Sequence, residues 1–169
     1  MKSAVDRARE VIGSNKYMTL ATTDDEGPWA AGIAFTVIGL RELYFISQRS
    51  SRHGRAIAAN GLAAGAIFNS TVAPDDVESV QFSAVCRDVG DDAEQIRRVL
   101  ELSGTCAGEP ASEEEVRRIE NDPEKGVFIL QIQDMYVLDQ VAWAESQIDA
   151  REQVDPGLVF AGIWRENGE

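Results

Sequence analysis

Three arginines and the only histidine of the chain fall within seven residues, at Arg49, Arg52, His53 and Arg55. The run reads Ser47-Gln48-Arg49-Ser50-Ser51-Arg52-His53-Gly54-Arg55. It leaves an apolar segment over 43–47 (LYFIS) that predicts a strand, and it enters a segment near 52–60 that predicts a helix ended by Asn60-Gly61. A helix N-terminus presents unsatisfied N–H groups and the positive end of the helix dipole, so an anion binds there readily. Ser47, Ser50 and Ser51 add hydroxyl donors, and an arginine such as Arg52 can grip a phosphate through two parallel hydrogen bonds. The alternative is that Ser51 caps the helix and the arginines form a solvated face.

Other chemistry-bearing residues are sparse. Cys86 alternates with apolar residues and reads as a small core residue, whereas Cys106 falls in a predicted loop. One histidine cannot hold a phosphate and also activate a thiol, and it forms no metal-ligand pattern with two separated cysteines. Neither G-x-G-x-x-G nor G-x-x-x-x-G-K-[ST] occurs, so the common nucleotide loops are lacking. Glu113, Glu114 and Glu115 read as a dipole-matched helix start, and Trp29, Trp143 and Trp164 as core or interface residues.

The elements that must position the basic run follow from periodicity. Ser3-Ala4-Val5-Asp6 resembles a capping box and opens a short helix over 4–12, ended by Gly13. Strands are expected at 17–23 and 29–38, joined by the turn Asp24-Asp25-Glu26-Gly27-Pro28. Further strands are expected at 43–47, 62–69, 79–89, 127–132 and 135–138, with helices at 91–103 and after Ser112. Strands joined by such short turns cannot be parallel, which leaves an antiparallel barrel decorated with short helices. One domain is expected over 1–169: an N-terminal helix (1–13), barrel strands (14–90), a helical insertion (91–122), then final strands and a packing tail (123–169).

Composition narrows the setting. The 169 residues are 44% hydrophobic, enough for a core and too many for disorder. With 16 basic against 29 acidic side chains the net charge is −13, which argues against nucleic acid as a partner. No apolar run approaches a membrane span, and the charged start Met1-Lys2-Ser3-Ala4-Val5-Asp6-Arg7 predicts no signal peptide. A cytoplasmic protein with no membrane partner is expected, and its isolated basic run suits a small anionic ligand.

The run LYFISQRSSRHGRAI over 43–57 resembles the phosphate-binding stretch of the pyridoxamine 5′-phosphate oxidase-like family of FMN-binding split β-barrels, and the hairpin over 17–39 resembles that family's first two strands. The resemblance covers about residues 5–140 and is most specific at Ser51-Arg52-His53. It implies a mainly β fold with short helices (α+β), a split barrel of about six antiparallel strands, and a homodimer with FMN at the subunit interface. By resemblance Arg52 grips the FMN phosphate, with His53, Ser51 and Ser47 beside it. Gln81 corresponds to a glutamine reaching the flavin of the neighbouring subunit, and the main chain of Ile33, Ala34 and Phe35 faces the isoalloxazine ring. The implied activity is FMN-dependent oxidation or reduction of a small molecule by hydride transfer at flavin N5. Deazaflavin, FAD or haem are the alternative cofactors, and a non-catalytic carrier or sensor is the alternative role. Oxidation of vitamin B6 is not implied: the segment 30–37 carries no charge, and no histidine follows His53 for an Arg-x-His substrate site.

Overall fold

A computed structural model describes residues 2–73, 77–107 and 112–167. The chain opens with α1 (Ala4–Ser14), whose N-cap Ser3 accepts a hydrogen bond from the Asp6 N–H. Strands β1 (Tyr17–Asp24), β2 (Gly27–Ala34), β3 (Thr36–Val37) and β4 (Glu42–Gln48) follow, then α2 (Arg52–Asn60), β5 (Leu62–Phe68) and β6 (Ser79–Asp88). Helices α3 (Ala93–Ala107) and α4 (Glu113–Glu120) precede β7 (Lys125–Leu138), α5 (Gln140–Ser146), β8 (Arg151–Val154) and α6 (Pro156–Asn167).

Every strand pair is antiparallel, in the order β2-β1-β5-β6-β7-β4-β3, with β8 added to the far end of β7. The two outer strands of that order, β2 and β3, are separated in the chain by Phe35 alone. The sheet must therefore curl until its edges meet, and a split barrel results. The six long strands are those the sequence predicts. The expected second strand over 29–38 differs, because it breaks at Phe35 and gives its last residues, Thr36 and Val37, to β4. The expected strands at 127–132 and 135–138 are one strand, bent by a β-bulge: Ser83 pairs with Asp134 and Ala84 with Ile132, leaving Gln133 extra.

Alternation along the strands points one set of side chains inward. Met18, Leu20, Ile33, Phe45, Ile67, Phe82 and Leu130 fill the barrel, with Ile57 of α2, Val11 of α1 and Phe160 of α6 sealing it. A second cluster lies on the other side of β4 and β7, where Tyr44, Val127 and Ile129 pack on Ile96, Val99 and Leu100 of α3 and Val116 and Ile119 of α4. The first half of β7 is thus buried on both faces, which explains its unbroken apolar run Val127-Phe128-Ile129-Leu130. Helix α3 runs through the expected loop at Cys106, because Gly104 weakens a helix without ending it. The side chains of Cys106 and Trp164 lie outside the described residues. No helix among the described residues is long and apolar enough to cross a membrane.

Candidate functional site

Helix α2 carries the basic run across one end of the barrel. It links β4 to β5, which β7 and β6 separate in the sheet, so its path must traverse the barrel mouth, where Ala56 and Ile57 are buried. Ser51 is the N-cap and accepts from the Gly54 N–H at 3.1 Å. Gly54 lets the helix start lie against the strand end: a methyl group there would sit 2.6 Å from the Arg49 carbonyl oxygen. Gly61 closes the helix at φ 71°, returning its N–H to the Ile57 carbonyl at 2.9 Å. The N–H groups of Arg52 and His53, as the first two of the helix, have no intrahelical acceptor.

The four cationic candidates have different fates. Arg49 donates from Nε to Asp88 at 2.6 Å, and from its other nitrogens to the carbonyls of Pro123 and Gly90. The Asp88 hydrogen bond raises its pKa further and ties the β4–α2 loop to β6, so Arg49 is a structural residue. Arg55 is exposed and donates to the Ser50 carbonyl at 2.6 Å. His53 is buried, with Nε2 2.7 Å from Ser47 Oγ and its ring 6.2 Å from the Phe45 ring, edge to face. Burial lowers its pKa from the ordinary 6.5, so the imidazole is neutral at neutral pH.

Arg52 differs from the other three. Its Nη2 donates to the Glu26 carbonyl at 3.2 Å and its Cζ stands 4.7 Å from the centroid of the Trp29 ring. Its Nε is buried with no hydrogen-bond partner, the nearest Glu26 carboxylate oxygen being 3.9 Å away. This charged donor is left without an acceptor, as is Nε of Arg7 in α1. The structure thus joins Ser47 to His53 behind the Ser51 cap, while the neighbouring Arg52 turns its guanidinium to the β1–β2 hairpin.

The other expected positions lie elsewhere. The Phe35 N–H is donated to the Lys16 carbonyl at 3.2 Å, so alternation turns the Ile33 main chain to β1 as well and turns that of Ala34 to the open edge of β2. Gln81 lies on the outer face of β6, in a cross-strand row with Ala66, Thr19 and Gly32, and donates to Ser79 Oγ at 3.1 Å. That outer face is unusually bare. Thr19, Ala21, Ala30, Gly32, Ala34 and Ala64 are all exposed on it, with exposed Tyr17, Leu62, Phe68 and Val85 around them. Sequence reasoning missed Glu26 and Trp29, because nothing local marks a turn acid and a strand tryptophan as partners of Arg52.

Cys86 is 2% exposed inside the barrel and burial pushes its thiol up to about 12, so it is inert. Among the described residues no group of three histidine, cysteine or acidic side chains could hold a metal ion.

A sequence profile described as pyridoxamine 5′-phosphate oxidase matches residues 4–139. The chain belongs to the pyridoxamine 5′-phosphate oxidase family. Among solved structures this family member is similar to a haem binding protein from Mycobacterium smegmatis, at 20% identity and a TM-score of 0.65 over 95% of this chain. It spans 61% of that protein's length. It is also similar to HutZ, the haem storage protein of Vibrio cholerae, at 22% identity and a TM-score of 0.62, over 79% of this chain and 91% of that one. A conserved hypothetical protein of Mycobacterium tuberculosis, Rv2991, is similar at 17% identity and a TM-score of 0.66, over 89% of this chain and 92% of that one. Likeness at such identities establishes the shared fold alone. No curated protein matches this family member.

His53 gives a prediction on stability. The folded state disfavours the imidazolium, so the unfolded chain binds the extra proton more readily. This contribution is full above pH 6.5 and is lost as the pH falls from there towards the lowered value of the folded protein. Urea midpoints measured from pH 8 down to pH 5 are expected to fall more steeply in the wild type than in His53→Gln; parallel curves would show that His53 carries no such linkage.

Proposed function

We propose that this protein is an FMN-dependent oxidoreductase acting on a small molecule, with the flavin held in a groove between two copies of the chain. The observation that carries the reading is the buried, acceptor-less Nε of Arg52 at the N-terminus of α2, beside the Ser47–His53 pair. Those residues fit a phosphate monoester. Arg52 supplies the charge-assisted donor, Ser51 and the first amides of α2 close the cradle, and Ser47 fixes the orientation of a neutral His53. When bound, FMN supplies hydride transfer at N5; the protein's part is to bind, orient and exclude water. Ala34 offers main-chain groups at the edge of β2, and Gln81 offers an amide on the outer face. We assign Gln81 to the flavin of the second copy, because it shares its face with the small-residue platform that suits a partner.

A second reading is a non-catalytic carrier or sensor holding flavin, deazaflavin or haem. The absence of any charge between Ala30 and Val37 favours it, since the ring-side grip then rests on main chain alone. Haem is the poorest fit of the three. Its only candidate histidine ligand, His53, is buried with Nε2 already bonded to Ser47.

The test is the visible absorption spectrum of the purified protein, before and after FMN is added. Stoichiometric oxidised-flavin bands that bleach with a nicotinamide donor and return when a substrate is supplied are expected. Flavin bands that no donor bleaches would establish the carrier, a Soret band would establish haem, and a protein that ignores FMN would overturn flavin binding.

A further inference from the structure

Of the cations in the basic run, Arg49 is neutralised by Asp88, His53 is buried as the neutral ring and Arg55 faces solvent. Arg52 is therefore the half-buried cation at the head of α2 that lacks a carboxylate hydrogen bond, and the β1–β2 turn already engages it. That turn fixes the Glu26 main chain beside Arg52. Asp24 Oδ1 accepts the Glu26 N–H at 2.9 Å, and Gly27 adopts φ 98°, a conformation that favours glycine. The Glu26 carbonyl is thereby held on Arg52 Nη2 at 3.2 Å; its exposed carboxylate lies 3.9 Å from Nε, and Trp29 covers the guanidinium face at 4.7 Å. Nε itself is buried and unbonded, so the carboxylate attracts Arg52 without completing a hydrogen bond. A phosphate oxygen could complete that bond, but a phosphate brought beside Glu26 meets a like charge.

We propose that Glu26 is an internal competitor for the anion site: it holds Arg52 against Trp29 until the phosphate of a ligand takes Arg52 over, and so sets how tightly phosphate-bearing ligands bind. This rests on the assignment of Arg52 to a ligand phosphate. Glu26 is a positioning residue, acting on the ligand through Arg52, and its effect is confined to ligands that carry the phosphate. An exposed carboxylate at this distance contributes a fraction of a decade in affinity.

The experiment titrates FMN, and riboflavin as the phosphate-free probe, into the wild type, Glu26→Gln, Arg52→Ala and the double variant, each checked for folding by circular dichroism. Glu26→Gln is expected to tighten FMN about two- to fivefold and leave riboflavin unchanged, and the gain is expected to vanish in the Arg52→Ala background. Weakened FMN binding in Arg52→Ala with no gain in Glu26→Gln would overturn the competitor role and leave the phosphate site standing. An equal gain for riboflavin would also overturn it, since Glu26 would then act on the turn and not on the phosphate. FMN affinity indifferent to both substitutions would remove the phosphate site, and the competitor with it.

Discussion

Arg52→Ala is expected to weaken FMN binding by about 1.5–3 kcal/mol, the range of a charge-assisted hydrogen bond, which corresponds to a loss of roughly ten- to 150-fold. The size follows from its position. Arg52 is the half-buried guanidinium of the run that makes no carboxylate hydrogen bond, and its Nε lacks an acceptor. Its present contacts, a carbonyl, a carboxylate at 3.9 Å and the Trp29 face, lie near the surface and are each worth about 1 kcal/mol or less. The substitution should therefore leave the fold intact. Arg52→Lys keeps the charge and loses the two-pronged geometry, so its affinity should fall between those of wild type and alanine variant. Isothermal titration with FMN decides the matter, with circular dichroism as the folding control. Unchanged affinity in a folded Arg52→Ala protein would return Arg52 to the role of a clasp between α2 and the β1–β2 hairpin.

The second large effect is expected at the outer face of the sheet. Ala30, Ala21 and Ala64 face outward in one cross-strand row, and Gly32, Thr19 and Ala66 in the next. Side chains this small allow another surface to approach the sheet closely, and the apolar side chains around them would be covered by it. Ala64→Glu puts a carboxylate in the middle of that platform. In a two-fold interface each substitution appears twice, so two desolvated charges must be accommodated without partners. The wild type is expected to scatter light as a particle of about twice the 18.5 kDa chain mass, and Ala64→Glu as a single chain. Loss of FMN binding should accompany monomer formation if Gln81 of one copy serves the flavin of the other. The substitution itself sits on an exposed strand position, so the monomer should remain folded. A wild-type protein that is monomeric at micromolar concentration would overturn the dimer and send Gln81 back to a local role.

Much of this protein can be read from its residues alone. The cap at Ser3, the hairpin turn at Asp24–Gly27, the helix from Ser51 to Asn60 and the stop at Gly61 are all local devices, each made within a few residues. The Ser51-Arg52-His53 run opens α2 where the sequence expects a helix start, because an N-cap is local too. Within the sheet, sequence periodicity misread two places for one reason. The break at Phe35 and the bulge at Gln133 are demanded by closing the sheet, a requirement that no window of neighbouring residues contains.

The electrostatics of the site belong to the same class. In sequence the run carries three equivalent arginines and a histidine. In the fold Asp88, 39 residues from Arg49, offsets that charge; burial beside Phe45 keeps His53 neutral; Glu26 and Trp29, more than twenty residues from Arg52, restrain it; and Arg55 stays exposed. By itself the sequence determined most of the elements before the tail, the family and the helix start at Ser51, since these depend on short-range hydrogen bonds and patterning. Only the tertiary structure decided how each cation of the run is partnered, because charge is offset by whatever the fold brings within a few ångströms, and not by what lies nearby in the chain.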